Sequence, residues 1–285
     1  MKGPLPLVVS VTGHVDIAPG DAATLTGRVR AFLTDLCAAY PHTPIELLTP
    51  LAEGADRLAA HAALSLGIPI IAVLPLDIDE YRKDFSGDGS IREFDDLLAR
   101  AAHVIVLPQD GDAPGRPGCY ARVGAFGVQH AHVLLALWDG VDTGKTGGTS
   151  EIVRFAREGV PRRHAESARL LNPADTGVVH HIVTPRQSAP RPADAFAARW
   201  LAPRGGGEID ARRLLAEIAG STDAFNRHTL EPGIAEAAAR SEAGLTSGQV
   251  KADGSAAPLT RIYGFADALA LRFQARAKRA VLGLF

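Results

Sequence analysis

Residues 134–158 read LLALWDGVDTGKTGGTSEIVRFARE, and this stretch divides into three pieces that decide the fold. Residues 134–138 are an apolar run of strand length. Residues 139–148 form a loop with four glycines, and Thr149, Ser150 and Glu151 then open an amphipathic segment. Strand, glycine loop and helix start together bind phosphate, because glycines let the backbone approach closely and the first helical N–H groups point toward an anion.

The same alternation of apolar run and amphipathic segment fills the chain upstream. Apolar strands are predicted over residues 7–11, 45–51, 68–74, 103–107 and 134–138, with a sixth over 180–183. Strands of this kind between amphipathic helices indicate a parallel sheet covered on both faces. The expected fold class is therefore α/β, a doubly wound, Rossmann-like parallel sheet over residues 1–185. The proline-rich range 186–207 is expected to be a linker or surface arm, and 208–285 a helical extension.

Ligands of doubly wound sheets sit at the carboxyl ends of the strands, close to the point where strand order reverses. The loops predicted at this edge are rich in glycine and polar residues, and they cover 12–16, 51–57, 75–90, 108–120 and 139–151. The search for binding residues therefore concentrates on these five loops.

The loop after the fifth strand is the strongest candidate for a phosphate site. Gly147, Gly148 and Thr149 would cradle the phosphate, with Asp139 and Gly140 at the start of the loop. A tight turn would also need glycines, but four in ten residues exceed that need. The segment 144–146 (GKT) lacks the glycine spacing of an NTPase P-loop, so that function is disfavoured.

Two earlier loops offer further binding residues, each with a plain structural alternative. Thr12, Gly13 and His14 end the first strand, where they either contact a ligand or make an ordinary turn. The Glu53–Asp56 segment EGAD, with Glu53, Gly54 and Asp56 as candidates, opens the next helix. Its carboxylates either hold ribose hydroxyls or interact with the helix dipole, an effect of about 0.3–1 kcal/mol. The same alternative applies to Glu151, which is also a candidate general acid/base.

Composition narrows the function classes. The net charge of −2 gives no sign of a nucleic-acid surface, so no nucleic-acid partner is expected. Two cysteines and no apolar leader favour a cytoplasmic protein. The histidines have no acidic or cysteine partners at metal-ligand spacing, and the dinucleotide fingerprint is absent, so neither a metal nor a cofactor is expected.

Several short motifs, in this order and spacing, resemble the SLOG superfamily, which includes the LOG phosphoribohydrolases and sensor domains of bacterial conflict systems. They are VTGH at 11–14, LAEGADRLA at 51–59, LP at 74–75, EY and DF at 80–81 and 84–85, and ALWDG at 136–140 followed by GGT at 147–149 and Glu151. The resemblance covers about residues 5–185 and implies a LOG-like, Rossmann-like fold.

The resemblance implies a nucleotide or ribose-phosphate ligand. The family's catalytic glutamate stands three residues after the motif threonine, whereas Glu151 stands two after Thr149, a difference of about 100° on a helix. Arg116 lies in a loop suited to the family's arginine. The first hypothesis is therefore a nucleotide-binding sensor, and the alternative is a phosphoribohydrolase that cleaves a nucleoside 5′-monophosphate; whether the chain is an enzyme stays open.

The C-terminal helix carries a second resemblance. The pattern Tyr263-x-x-Ala266-Asp267-x-Leu269-Ala270 is similar to the start of the two-helix membrane module, SLATT, that often follows such domains. It implies a membrane effector module C-terminal to residue 285 and a location at the inner face of the membrane. Rossmann-like domains of this kind often dimerise, so a homodimer is a further expected partner.

Overall fold

The computed structural model describes residues 2–108, 115–165, 177–247 and 257–282. Within these residues seven strands form one sheet in the order β4-β3-β2-β1-β5-β6-β7. The strands are β1 (Leu7–Gly13), β2 (Ile45–Thr49), β3 (Ile70–Leu74), β4 (His103–Val106), β5 (Val133–Trp138), β6 (Val178–Val183) and β7 (Ala198–Leu201). Neighbouring strands from β1 to β6 pair in parallel, and β7 pairs antiparallel with β6.

Helices follow most of the strands, as the alternating sequence predicts. Their bounds are α1 (Ala22–Ala39), α2 (Ala55–Ser65), α3 (Ile78–Arg82), α4 (Asp88–Ala99), α5 (Gly115–His130), α6 (Thr149–Glu158), α7 (Glu208–Thr229), α8 (Ile234–Ser247) and α9 (Ala257–Leu282). The α/β class with a mostly parallel, Rossmann-like sheet is therefore confirmed.

The strand β5 is apolar along its whole length, as expected of a central strand that is buried on both faces. Residues 133–137 of β5 are at most 3 % exposed. Leu134 and Ala136 share a buried cluster with Ile152, Val153 and Phe155 of α6. A Cβ on Gly124 of α5 would lie 2.2 Å from the Ile152 side chain, so this glycine lets α5 approach α6 closely. This packing fixes the start of α6 at the end of β5.

Strand order reverses at β1. The chain builds β2, β3 and β4 on one side of β1 and then returns to place β5 on the other side. Thr12 and Gly13 at the end of β1 therefore stand beside Ala136 and Leu137 of β5. The carboxyl ends of these two strands flank the topological switch point, where ligands of such sheets bind.

Two ranges hold more regular structure than their composition indicates. The polar range 77–90, predicted as a loop, contains α3 and the first turn of α4. The range 186–207, predicted as a linker or surface arm, contains β7, whose Trp200 is 9 % exposed. The prolines on both sides of this strand of four residues interrupt the alternation of apolar and polar residues, so the sequence pattern does not predict the strand. Residues 109–114 of the predicted ligand-edge loop 108–120 lie outside the described residues.

Contacts divide the chain into two compact units. One comprises Leu7–Ala39 and Ile45–Ile218 and contains the sheet. The other comprises Met1–Pro6, Tyr40–Pro44 and Ala219–Phe285, and in it α8 packs against α9. No helix in the described part of the chain is both long and apolar enough to cross a bilayer.

Candidate functional site

A cleft of about 530 Å³ opens at the switch point. Its walls come from the ends of β1 and β5, from the segments that follow β2, β3 and β6, from the middle of α5 and from the start of α6. These are the loops that a doubly wound sheet brings to its ligand-binding edge. The cleft volume is in the range of small-molecule sites.

The floor of the cleft is the end of β1. A Cβ on Gly13 would lie 2.4 Å from Ala55 Cβ and 2.7 Å from Leu137 O, so the close packing of β1, β5 and α2 requires glycine. His14 fixes the neighbouring loop, since its Nε2 accepts a hydrogen bond of 3.0 Å from the Asp139 amide.

The protonation state of His14 follows from this geometry. Nε2 also lies 3.2 Å from Asp139 Oδ1, a contact in which Nε2 could donate only if it carried a proton. Burial lowers the pKa of His14 and outweighs the opposing effect of Asp139. The ring is therefore neutral at pH 7, with Nε2 as acceptor and Nδ1 carrying the proton.

The loop between β5 and α6 presents a helix N-terminus to the cleft. Gly148 is the N-cap residue, and its carbonyl accepts hydrogen bonds from the amides of Glu151 and Ile152. The first amides of a helix have no intrahelical acceptor, and Thr149 and Ser150, which carry two of them, line the cleft. Lys145 lines the same region, and no described residue pairs with its ammonium group. This corner can hold an anion.

Glu151 stabilises this loop and does not line the cleft. Its Oε2 accepts a hydrogen bond of 2.8 Å from the Gly147 amide, and its side chain is 8 % exposed. The contact resembles a capping box, in which a glutamate in the first turn bonds back to an amide before the helix. In this arrangement the Glu151 carboxylate positions the glycine loop.

The segment between β2 and α2 contributes two carboxyl groups to the cleft. Burial opposes ionisation of Glu53, yet hydrogen bonds from Ser86 and Ser90 leave its pKa lowered. Both Ser86 bonds go to Oε1. Asp56 is different: burial raises its pKa to about 8, although the Ala52 amide and Arg57 oppose the shift. At pH 7 this segment therefore presents one carboxylate, Glu53, and one neutral carboxylic acid, Asp56.

Gly54 lies between these two residues and has a packing role. Its φ is 77°, and a Cβ there would lie 2.4 Å from Val15 O. The glycine thus lets the loop after β2 approach the loop after β1.

Aromatic side chains form the wall that follows β3. Tyr81 is 2 % exposed, and its ring packs against Phe85 with centroids 4.9 Å apart. Tyr120 of α5 donates a hydrogen bond to Asp84, and burial together with this bond raises the Tyr120 pKa to about 12. Arg116 Nη1 lies 2.6 Å from the other oxygen of Asp84. Arg116 therefore supports this wall although it does not itself line the cleft.

The predicted site residues separate into two groups. Those that line the cleft are Thr12, Gly13, His14, Glu53, Asp56, Gly147, Gly148 and Thr149. Those that do not are Gly54, Arg116, Asp139, Gly140 and Glu151. In the second group, Gly54, Arg116, Asp139 and Glu151 support the loops that the first group belongs to, through the contacts described above.

The cleft also contains residues that were not predicted. They are Asp16, Tyr81, Asp84, Phe85, Tyr120, Trp138, Lys145 and Arg186, among others. The EY and DF pairs at 80–81 and 84–85 were part of the family resemblance, so the resemblance could have identified Tyr81, Asp84 and Phe85 as site residues. Arg186 had no signal, because it lies in the range predicted to be a linker. In the described part of the chain, no group of three or more His, Cys, Asp or Glu could hold a metal ion.

No protein-family model matches the chain, and no curated protein matches it significantly. Among solved structures, DNA processing protein A (DprA) from Streptococcus pneumoniae matches with a TM-score of 0.31 and 19% identity, over 46% of this chain and 41% of that chain. DprA from Helicobacter pylori, described for its single-stranded DNA binding mode, matches with a TM-score of 0.36 and 14% identity, over 59% and 69%.

Neither of these matches shows the two-helix membrane module. They do correct one expectation. Nucleic acid was excluded as a partner because of the net charge, yet the H. pylori protein binds single-stranded DNA. The exclusion was wrong because nucleic-acid binding depends on local charge along a surface, which a net charge near zero does not reveal.

Proposed function

We propose that this chain binds a nucleotide-derived ligand in the cleft, with a phosphate at the start of α6 and the base near Tyr81 and Phe85. The observation that carries the proposal is the order of chemistry along the sheet edge. Aromatic and acidic groups follow β3 and β2, while the helix N-terminus, Lys145 and Arg186 follow β5 and β6. A nucleotide has the same polarity, with an aromatic base, a sugar rich in hydroxyls and an anionic phosphate.

The phosphate end rests on backbone donors that have no hydrogen-bond partner among the described residues. Thr149 and Ser150 line the cleft, and the dipole of α6 favours negative charge at its N-terminus. Lys145 adds a positive charge in the same region. A phosphate there would replace water without breaking any hydrogen bond of the glycine loop.

The sugar and base end offers both acceptors and donors. Glu53 keeps Oε2 free of the described hydrogen bonds, so this oxygen suits a ribose hydroxyl. The neutral Asp56 carboxyl can both donate and accept, as the edge of a base requires. Phe85 and Tyr81 supply the apolar surface for the ring.

The first experiment is a thermal-unfolding screen with ribose 5-phosphate, nucleoside monophosphates and dinucleotides, followed by chromatography of each mixture. A ligand at 100 times its dissociation constant stabilises the fold by about 2.7 kcal/mol. Recovery of the intact ligand supports a binding domain. Release of free base would identify the phosphoribohydrolase alternative. An unphosphorylated single-stranded oligonucleotide tests nucleic acid as the ligand class.

Thr149→Asp tests where the phosphate sits. Because Asp in the first turn of a helix is favourable by about 0.3–1 kcal/mol, the variant should fold as stably as the wild type. Its carboxylate would repel a phosphate, and we expect at least a tenfold loss of affinity, about 1.4 kcal/mol. Isothermal titration with the ligand found in the screen measures the loss.

Ile209→Asp is the matched control, since Ile209 lies in the first turn of α7, is 83% exposed and does not line the cleft. It introduces the same charge at another helix start and should leave affinity unchanged. If Thr149→Asp binds as tightly as the wild type, the phosphate does not sit at α6.

The output of binding is proposed to be that of a sensor, in which the ligand shifts the population of a coupled state. Such a shift requires different ligand affinities in the two states. Hydrogen exchange with and without the ligand should therefore change at residues that do not line the cleft. Changes confined to the cleft would argue against sensing.

A further inference from the structure

Arg186 lines the cleft from the segment after β6, and its side chain is 28% exposed. Only its Nε contacts Asp16, at 3.0 and 3.3 Å from the two carboxylate oxygens. In the described structure neither terminal nitrogen of the guanidinium has a hydrogen-bond partner. The side chain is thus held through Nε, while its two terminal nitrogens remain available to bind a ligand.

A second arginine of the same segment shows the usual arrangement. Arg191 directs both terminal nitrogens to the Asp21 carboxylate, at 2.9–3.1 Å, and does not line the cleft. Its donors are used in a bidentate ion pair. An arginine of this segment can therefore use both terminal nitrogens in an ion pair. Arg186 differs from Arg191 in that its terminal nitrogens have no partner among the described residues.

The anchor of Arg186 is itself well fixed. The Asp16 carboxylate also accepts a hydrogen bond from Ser188, and Asp16 O accepts one of 2.9 Å from the Gln187 amide. Ile17 and Arg186 pair as an isolated β-bridge. These contacts hold Arg186 beside the end of β1 before any ligand arrives, which lowers the entropy cost of binding.

The position of Arg186 relative to α6 follows from the sheet. β5 and β6 are neighbours, with Trp138 opposite Val183 at their carboxyl ends. Adjacent strands lie about 4.8 Å apart. The helix N-terminus follows β5 and Arg186 follows β6, so the two anion-binding features sit on neighbouring strands. The Arg186 charge also acts on His14 at the end of β1, where it contributes to the lowered pKa of that ring.

We infer that Arg186 forms a second anion subsite next to the α6 site, and that the ligand carries two adjacent phosphates, as in a nucleoside diphosphate or a dinucleotide. The inference rests on the proposed function and specifies its ligand class. Planar guanidinium groups bind phosphate oxygens in a bidentate manner, and Arg186 has both terminal nitrogens free for this.

The test compares AMP with ADP, and inorganic phosphate with pyrophosphate, by isothermal titration of the full chain. The second pair does not depend on the identity of the base. Wild type should bind the diphosphate of each pair at least tenfold more tightly. Arg186→Gln should reduce this preference to less than twofold, so its loss of affinity should be at least about fivefold larger for ADP and pyrophosphate than for AMP and phosphate. Arg186→Lys keeps the charge without the planar group, so an intermediate preference is expected.

Arg191→Gln is the control and should retain the full preference. Equal losses for mono- and diphosphates in Arg186→Gln would mean that Arg186 only supports the fold, and no loss would mean that it does not touch the ligand; either result overturns the inference. Wild type that binds monophosphates without preferring diphosphates overturns the second subsite alone. Wild type that binds none of the four probes overturns both the subsite and the proposed phosphate site.

Discussion

At the scale of single residues, Asp56 has an environment far from that of the free amino acid. It is 5 % exposed at the start of α2, and burial raises its pKa to about 8. The protein therefore folds with a neutral acid in its cleft. A neutral carboxyl can donate a hydrogen bond, which an ionised one cannot do.

This raised pKa predicts how stability depends on pH. Between pH 4 and about 8 the folded state keeps a proton on Asp56 that the unfolded state releases, so stability falls as pH rises. The slope from this group is at most about 1.4 kcal/mol per pH unit. Asp56→Asn removes the titration, and its stability relative to wild type should increase between pH 5 and pH 8, measured by urea unfolding.

Asp96→Asn is the control for this series, because Asp96 is exposed on α4. Its difference from wild type should stay constant across the same pH range. An Asp56→Asn difference that is equally flat would show that Asp56 is ionised in the folded protein.

At the scale of elements, the main role of the glycines at the cleft is to let strands, helices and loops pack closely against one another. Gly13 and Gly54 each occupy a position where a Cβ would lie 2.4 Å from a neighbouring atom. Gly147, with φ of 71°, would place a Cβ 2.6 Å from Tyr120 Cβ. These elements approach one another closely because the contact positions hold glycine.

Gly13→Ala should therefore destabilise the sheet. The added methyl group meets Leu137 O and Ala55 Cβ, which the core holds in place, and overpacking of this kind costs about 1–3 kcal/mol. Gly27→Ala is the matched control, since Gly27 is exposed in α1 and a Cβ there would meet no atom within 4 Å. It should be stabilising by about 0.5–1 kcal/mol. Urea unfolding of both variants measures the difference, and a neutral Gly13→Ala would contradict the packing role.

The elements also show why part of the site was predictable. Strand, glycine loop and helix start are local patterns, so the position of Gly147, Gly148 and Thr149 at the ligand edge follows from the sequence. The role of Glu151 does not, because its contact with the Gly147 amide exists only once the turn has closed. Arg186 was hidden for a different reason: its place in the cleft depends on pairing with Ile17, about 170 residues earlier, which no local pattern records.

At the scale of the whole molecule, strand order converts a linear sequence into a polar cleft. Segments after β2 and β3 bring Glu53, Asp56 and the aromatic wall to one side of β1. Segments after β5 and β6 bring the α6 N-terminus and Arg186 to the other side. The two sides come from opposite wings of a doubly wound sheet, so the orientation proposed for a nucleotide is a consequence of topology and not of any single motif.

The unit outside the sheet is assembled from three distant segments, and Asn226 of α7 joins them. Its buried side chain accepts a hydrogen bond of 3.0 Å from the Leu5 amide, donates one of 2.8 Å to Leu5 O, and donates one of 3.1 Å to Thr43. One side chain of α7 is thus hydrogen-bonded to both the N-terminal segment and the α1–β2 connection. Sequence patterns gave no sign of this arrangement, since the partners lie more than 180 residues apart.

Asn226→Ala should destabilise this unit, because it leaves the Leu5 amide and carbonyl without their partner. The expected cost is about 1–3 kcal/mol, the usual penalty for unsatisfied buried polar groups. Arg227→Ala, on the exposed neighbouring position, should change stability by less than about 0.5 kcal/mol. Urea unfolding followed by circular dichroism gives the global effect, and hydrogen exchange of peptides covering residues 2–6 and 40–44 gives the local one. Faster exchange of both peptides in Asn226→Ala alone is the expected result. If the two variants exchange alike, other contacts hold these segments and Asn226 is not the residue that joins them.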